Sequence, residues 1–145
     1  MQSLENTMLI TDLDGTLLPA SKEISVADAA AISQFRAKGG KFAIATGRTL
    51  QAAQRYLKKL QPNIPVILFN GAAIYDPVAE KWLYTEELPP EAAAITRQVL
   101  EAFPDVSAEI LRTDGTYVSR MTPYEKEHLE ICQVEPILAM PEEIP

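Results

Sequence analysis

Short apolar runs alternate with segments of helical spacing over the first half of the chain. Residues 8–14 predict a strand, and its nearly continuous apolar character is typical of a central parallel strand covered on both faces. Ser25, three residues before Asp28, is the expected N-cap of a helix that ends at Gly39-Gly40. The same alternation then continues with a strand at 41–45, a helix over 49–60 and a strand at 66–69. This order predicts a parallel sheet with right-handed crossovers.

The pattern changes after Asn70. Residues 73–75 and 81–84 flank a turn-rich loop and predict a β-hairpin. The charge balance changes close to the same place: residues 1–84 hold 9 basic and 7 acidic side chains, a net +2, whereas residues 85–145 hold 4 and 13, a net −9. We therefore predict two domains, 1–84 and 85–145.

Residues 85–145 predict an α+β layer. One helix starts after Pro89-Pro90, a second hairpin spans 106–119, and a capping box at Thr122 starts a helix that runs to about Cys132. Residues 133–145 hold three prolines and predict no closing element. The apolar face expected for the first of these helices comprises Ala92, Ile95, Val99 and Phe103.

Two carboxylates, Asp12 and Asp14, follow the first predicted strand where the backbone turns. Because side chains alternate along a strand, both start on the same side of it. Two anions so close repel each other unless a cation neutralises them or one of them holds a proton. Both solutions, a divalent metal ion and an acid/base pair, are typical of a functional site. Ligands bind outside the carboxyl ends of parallel strands, where Thr46-Gly47 and Asn70-Gly71 also lie.

Three motifs carry a resemblance to a known family. Each closes a predicted strand: Asp12-Leu13-Asp14-Gly15-Thr16-Leu17-Leu18, Ala45-Thr46-Gly47-Arg48 and Asn70-Gly71-Ala72. Together they resemble the haloacid dehalogenase (HAD) superfamily, most closely its Cof-type phosphatases with an α/β cap. The resemblance implies an α/β fold, in which the N-terminal part of a Rossmann-like (HAD-like) parallel-sheet core precedes an incomplete α+β cap. It also implies Mg²⁺-dependent hydrolysis of small phosphate monoesters such as sugar phosphates.

The resemblance implies a role for each residue of the first two motifs. Asp12 is similar to the nucleophile that forms an aspartyl-phosphate, and Asp14 to the general acid and base. We expect the neighbouring anion to raise the pKa of Asp14 and so favour its protonated form, and we expect Mg²⁺ to counter this shift, so that geometry decides the balance. The N–H of Leu13, the hydroxyl of Thr46 and the N–H of Gly47 are expected to bind phosphate. The family's Mg²⁺ takes the Asp12 carboxylate and the backbone carbonyl of Asp14.

The family also has a lysine and a Gly-Asp acidic metal-binding motif after the cap, and neither has a counterpart here. The chain therefore resembles the first half of such an enzyme, and the alternative hypothesis is a catalytically incomplete fragment or truncated non-catalytic HAD-like protein. A third hypothesis, a receiver domain, would place its phosphorylated aspartate after the third strand, which here ends in Asn70. Asn70-Gly71 is interpreted as a backbone device. Arg48 is left open between an anion contact and a cap of the strand–helix corner.

The resemblance implies a small phosphorylated metabolite as the partner, and composition argues against other classes of partner. A formal net charge of −7 argues against nucleic acid, since phosphate backbones bind basic surfaces. No apolar run approaches the roughly 20 residues that span a bilayer, so we expect no membrane partner. The single Cys132 excludes an internal disulfide, and the cytoplasm is the expected location. An incomplete sheet exposes apolar edges, so we expect self-association.

Overall fold

The computed structural model describes residues 3–144. The chain divides into two compact units, a first unit of Met1–Arg48 with Ala53–Glu86 and a second unit of Thr49–Ala52 with Glu87–Pro145. The expected domains 1–84 and 85–145 stay a prediction, although the second compact unit begins its long segment at nearly the same point. Every helix of the described residues is too short or too polar to cross a lipid bilayer.

The first unit contains five strands. β1 (Met8–Thr11) pairs in parallel with β2 (Lys41–Ile44), and α1 (Val26–Ala37) connects them. α2 (Leu50–Leu60) leads to β3 (Val66–Leu68), which a single parallel bridge between Ala45 and Ile67 links to the end of β2. A short 3-10 helix over Phe69–Gly71 then leads to the antiparallel strands β4 (Ala73–Asp76) and β5 (Lys81–Thr85), which continue from β3.

Local signals account for much of this unit. The Ser25 hydroxyl accepts a hydrogen bond from the Asp28 N–H at 3.0 Å, which confirms the predicted N-cap of α1. Gly39 follows this helix with φ +87°, a conformation that glycine adopts without steric cost. β2 and β3 contribute four side chains that are fully buried and form the centre of the core: Phe42, Ile44, Val66 and Leu68.

The prediction that β1 is covered on both faces is wrong for the described chain. Met8, Leu9 and Ile10 are 57%, 41% and 46% exposed. Within residues 3–144, β1 has β2 as its strand neighbour and no other, so its second edge is open. A continuous apolar run predicts a strand that can be buried, whereas burial itself needs other elements packed against both faces of the strand.

The second unit is an α+β layer. Its elements are α3 (Ala92–Ala102), β6 (Glu109–Leu111), β7 (Thr116–Val118), α4 (Pro123–Cys132), β8 (Pro136–Leu138) and a 3-10 turn over Pro141–Glu143. β6 and β7 form the predicted hairpin, and β7 pairs in parallel with β8. The Thr122 hydroxyl accepts from the Glu125 N–H at 3.1 Å, which confirms the predicted start of α4.

Two predictions for the second unit are wrong. β8 closes the sheet where no element was expected, because Pro136 is the first residue of the strand, a position that proline tolerates. On α3 the buried side chain is Leu100, whereas Ile95, Val99 and Phe103 of the predicted face are 57%, 47% and 60% exposed. Helical spacing shows which apolar residues share one face of a helix. Which face is buried depends on the elements that pack against the helix.

We propose that the open edge of β1 mediates self-association, since an unpaired strand edge with exposed apolar side chains can pair with another chain. Leu9→Lys places a charge on this edge and is expected to shift the chain toward its monomer mass of 16.0 kDa. Light scattering over a concentration series measures the shift. Val26→Lys, which changes an apolar residue 87% exposed on α1, is the matched control. A parent chain that stays monomeric throughout would contradict the proposal.

Candidate active site

The carboxyl ends of β1 and β2 lie side by side. Thr11 is paired with Ile44, and the Ala45 N–H donates to the Thr11 carbonyl at 2.9 Å. Asp12 and Thr46 come directly after these residues, so both motifs emerge at the same end of the sheet. This is the edge at which open parallel sheets bind their ligands.

The turn after β1 is anchored by buried leucines. The side chains of Leu13 and Leu18 are 0% and 1% exposed, and the Leu18 N–H donates to the Leu13 carbonyl at 2.8 Å. Gly15 has φ +77°, a left-handed conformation that makes the tight turn possible. With the leucines directed inward, Asp12 is exposed, and the Thr16 hydroxyl donates to its Oδ2 at 3.4 Å.

Two cations hold the carboxylate of Asp14. The Arg48 guanidinium donates in a bidentate manner, from Nε to Oδ2 at 2.7 Å and from Nη2 to Oδ1 at 2.9 Å. The Lys22 ammonium donates to Oδ1 at 2.7 Å. The Arg48 side chain is 8% exposed, whereas those of Lys22 and Asp14 are each 37% exposed. We call these three residues the Asp14 ion cluster.

The ion cluster decides the protonation state of Asp14. Hydrogen bonds from Arg48 are the largest influence and, with those from Lys22, hold the pKa of the Asp14 carboxyl well below its usual range, although burial opposes them. The balance between the neighbouring anion and a cation is therefore decided toward a lowered pKa, and the cations that decide it, Arg48 and Lys22, were not among those that the sequence suggested for Asp14. At neutral pH Asp14 is a carboxylate.

Sequence reasoning missed Lys22 and left Arg48 open. The structure resolves Arg48 as the bidentate partner of Asp14, at a separation of 34 residues. One signal could have indicated that cationic side chains lie nearby: two carboxylates only two residues apart repel each other unless positive charge neutralises them. It would not have distinguished Lys22 from other lysines, since Lys22 reaches Asp14 only because its loop folds back over the β1 turn.

Thr46 and Gly47 link the ends of β2 and β3. Thr46 is 5% exposed; its N–H donates to the Ile67 carbonyl at 3.0 Å, and its hydroxyl accepts from the Arg48 N–H at 3.3 Å. A Cβ on Gly47 would lie 2.6 Å from Oδ1 of Asn70, so glycine here permits the close approach of that side chain. Asn70 itself has φ +55°, and its N–H donates to the Thr46 carbonyl at 3.2 Å. Asn70 thus serves the backbone at this corner.

The oxygen donors at this edge suit a hard cation. Exposed carboxylate oxygen on Asp12 and the backbone carbonyl of Asp14 are ligands of the kind that Mg²⁺ prefers. The Asp14 side chain is a poor direct ligand, because both of its oxygens accept from Arg48 and Lys22. Nowhere in residues 3–144 do three or more His, Cys, Asp or Glu side chains gather as a metal site.

Comparison with known proteins places these features in a family. Residues 9–137 match the haloacid dehalogenase-like hydrolases. The chain is 30% identical over 125 residues to the 5-amino-6-(5-phospho-D-ribitylamino)uracil phosphatase of Bacillus subtilis, an alignment that covers 84% of this chain and 44% of the relative. It is 33% identical over 99 residues to the HMP-PP phosphatase of Cronobacter sakazakii, covering 68% and 35%.

Solved structures show the same fold. A sugar phosphatase of HAD subclass IIB matches with a TM-score of 0.80 and 26% identity over 94% of this chain and 54% of its own. The expected HAD-like α/β fold, with a parallel sheet and helices, is confirmed. The chain spans less than half the length of the two phosphatases named above and about half that of this structure.

The Asp14 ion cluster predicts a pH-dependent contribution to stability. Because folding lowers the pKa of Asp14 from its ordinary value of 3.8, the cluster stabilises the fold above that pH, and this contribution is lost as the pH falls toward the folded-state pKa. Asp14→Asn should lower the free energy of unfolding by about 1 kcal/mol at pH 7. The value is small because solvent screens the partly exposed ion pair of Asp14 with Lys22. The difference in unfolding free energy between Asp14→Asn and the parent chain should shrink steadily as the pH falls below about 4.

Urea unfolding followed by the fluorescence of the single Trp82, which lies in β5 of the first unit, measures this difference. Asp105→Asn removes one exposed loop carboxylate and controls for the change in net charge. A deficit for Asp14→Asn that is the same at pH 7 and pH 3 would argue against the ion cluster as its cause.

Proposed function

Since the chain belongs to the haloacid dehalogenase-like hydrolase family, we propose that it carries the phosphoryl-transfer residues of an Mg²⁺-dependent phosphatase that acts on small phosphate monoesters. One observation carries the proposal: an exposed carboxylate, Asp12, lies two residues from Asp14, a carboxylate that two cations already neutralise. The pair therefore combines an accessible nucleophile with a second carboxylate that is fixed in place.

Asp12 is the proposed nucleophile. A carboxylate oxygen attacks phosphorus, an O–P bond to Asp12 forms, and the P–O bond to the alcohol breaks. The leaving oxygen takes a proton. Water then attacks the same phosphorus, which breaks the aspartyl-phosphate bond and releases inorganic phosphate. The exposure of Asp12 supports this role, because an incoming phosphate ester can reach it without a rearrangement of the turn.

Asp14 is the proposed acid and base. Its ionised state at neutral pH suits the second step, in which it accepts a proton from the attacking water. The first step needs a proton on Asp14, and the ion cluster disfavours that form. We propose that a bound phosphate dianion favours the protonated form of Asp14 in two ways: its negative charge repels the carboxylate, and it competes with Asp14 for the ammonium of Lys22, the more exposed of its two cations.

The proposed phosphate contacts come from both strand ends. Leu13 can contribute only its backbone N–H, since its side chain is fully buried. The Thr46 hydroxyl accepts from the Arg48 N–H and keeps its own proton to donate, and the Gly47 N–H is next to it. Mg²⁺, when bound by the Asp12 carboxylate and the Asp14 carbonyl, would supply positive charge against the phosphate oxygens.

The proposed substrate is a small phosphorylated metabolite, and we propose neither nucleic acid nor membrane as a partner. The relatives support the class: one is named for a phosphorylated ribitylaminouracil, another for HMP-PP, and a solved neighbour is a sugar phosphatase. A cytoplasmic location is part of the same proposal, since one cysteine, Cys132, cannot form a disulfide within this sequence.

Phosphate release from p-nitrophenyl phosphate and a panel of sugar phosphates, with MgCl₂ or with EDTA, tests the proposal. We expect release with MgCl₂ and its loss with EDTA. Asp12→Asn should lower the rate by at least about 10³, because the amide is a poor nucleophile. Acid-quenched chain should carry label from a ³²P substrate, and Asp12→Asn should carry none.

Asp105→Asn is the matched carboxylate control and should turn over at the parent rate. Release that is equal in the parent and in Asp12→Asn would contradict the proposal. A parent chain without release or label would instead favour the alternative of a non-catalytic fragment, which the phosphatase relatives do not favour.

A further inference from the structure

Tyr56 lies behind the Asp14 ion cluster and has no part in the chemistry described above. It is 3% exposed, in the middle of α2. The hydroxyl of a buried tyrosine needs hydrogen-bond partners, and the partners of Tyr56 indicate what this residue does. Its hydroxyl contacts Lys22 and its ring contacts Arg48, the two cations that hold Asp14.

The hydroxyl of Tyr56 connects to the loop of Lys22. It donates to the Lys22 backbone carbonyl at 3.0 Å and accepts from Nη2 of Arg55. Lys22 has φ +56°, a left-handed conformation that residues with a side chain adopt rarely, and its N–H donates to the Pro19 carbonyl at 2.9 Å. The Tyr56 hydroxyl therefore holds the backbone of Lys22 in the conformation from which its ammonium reaches Asp14.

The ring of Tyr56 connects to the other cation. The guanidinium carbon of Arg48 lies 5.2 Å from the ring centroid, within the range of a cation–π contact. The same guanidinium donates two hydrogen bonds to Asp14. One buried side chain thus contacts Lys22 through its hydroxyl and Arg48 through its ring face.

We propose that Tyr56 is a positioning residue that orients the Asp14 carboxylate through Lys22 and Arg48. The proposal rests on the proposed function only for the role of Asp14 in phosphoryl transfer. Tyr56 touches neither carboxylate and acts through the two cations. Of the two cations, loss of the Tyr56 hydroxyl should release Lys22 and leave Arg48 in place, whereas loss of the ring should release both.

Hydrogen exchange of the side-chain N–H groups, measured by ¹⁵N-resolved NMR on the whole chain, tests this without any need for turnover. Tyr56→Phe should speed exchange of the Lys22 ammonium about tenfold and leave the Arg48 Nε–H within about twofold of the parent. Tyr56→Leu should speed both. Lys22→Met and Arg48→Lys assign the two signals by their loss.

Lys59 provides an internal control, because its ammonium donates to the Ile24 carbonyl at 3.0 Å in the same loop region. Tyr75→Phe, which removes the hydroxyl of a ring packed on Trp82, is the matched variant and should change neither the Lys22 nor the Arg48 signal. Selective faster exchange of Lys22 in Tyr56→Phe supports the proposal.

Two results would overturn it. The first is a Lys22 exchange rate in Tyr56→Phe that stays within twofold of the parent rate. The second is an equal increase in the exchange rates of Lys22 and Lys59, which indicates general loosening of the loop. If Tyr56→Leu fails to fold, Tyr56→Phe alone decides. The proposed function is judged separately, by phosphate release that depends on Asp12.

Discussion

The juxtaposition of two carboxylates at the end of β1 is the constraint on which this site depends. Asp12 and Asp14 carry like charges two residues apart, and such a turn needs nearby cations. Arg48, from the corner after β2, and Lys22, from the loop after β1, provide them. The ion pair between Arg48 and Asp14 also joins the ends of β1 and β2. The interaction that neutralises Asp14 therefore also holds the two strand ends together.

This arrangement gives the two aspartates different surroundings. Asp12 is exposed with a hydroxyl beside it, whereas both oxygens of Asp14 accept hydrogen bonds from cations. Different environments for neighbouring carboxylates are how a site assigns nucleophile and acid/base roles to chemically identical groups. In the proposed reaction, arrival of a phosphate dianion redistributes the cations, which couples substrate binding to the protonation of Asp14. Tyr56 would preserve the starting geometry of that exchange.

The site is built on only part of the length of its relatives. The chain covers 44% of one phosphatase and 54% of a sugar phosphatase structure. In the part of the chain that the structure describes, β1, the strand that leads to Asp12, has an open second edge, and its apolar residues are exposed.

Sequence alone determined the features that depend on neighbours in the chain: the strand–helix alternation, the caps at Ser25 and Thr122, both hairpins, and the family motifs at the strand ends. Tertiary structure decided the rest, because it depends on contacts across long separations. Asp14 and Arg48 are 34 residues apart, as are Tyr56 and Lys22, and no local pattern could reveal that the pKa of Asp14 falls instead of rising. The exposure of β1 and of the α3 stripe likewise follows from which layers are present, since apolar spacing shows that a surface can be buried but not what covers it.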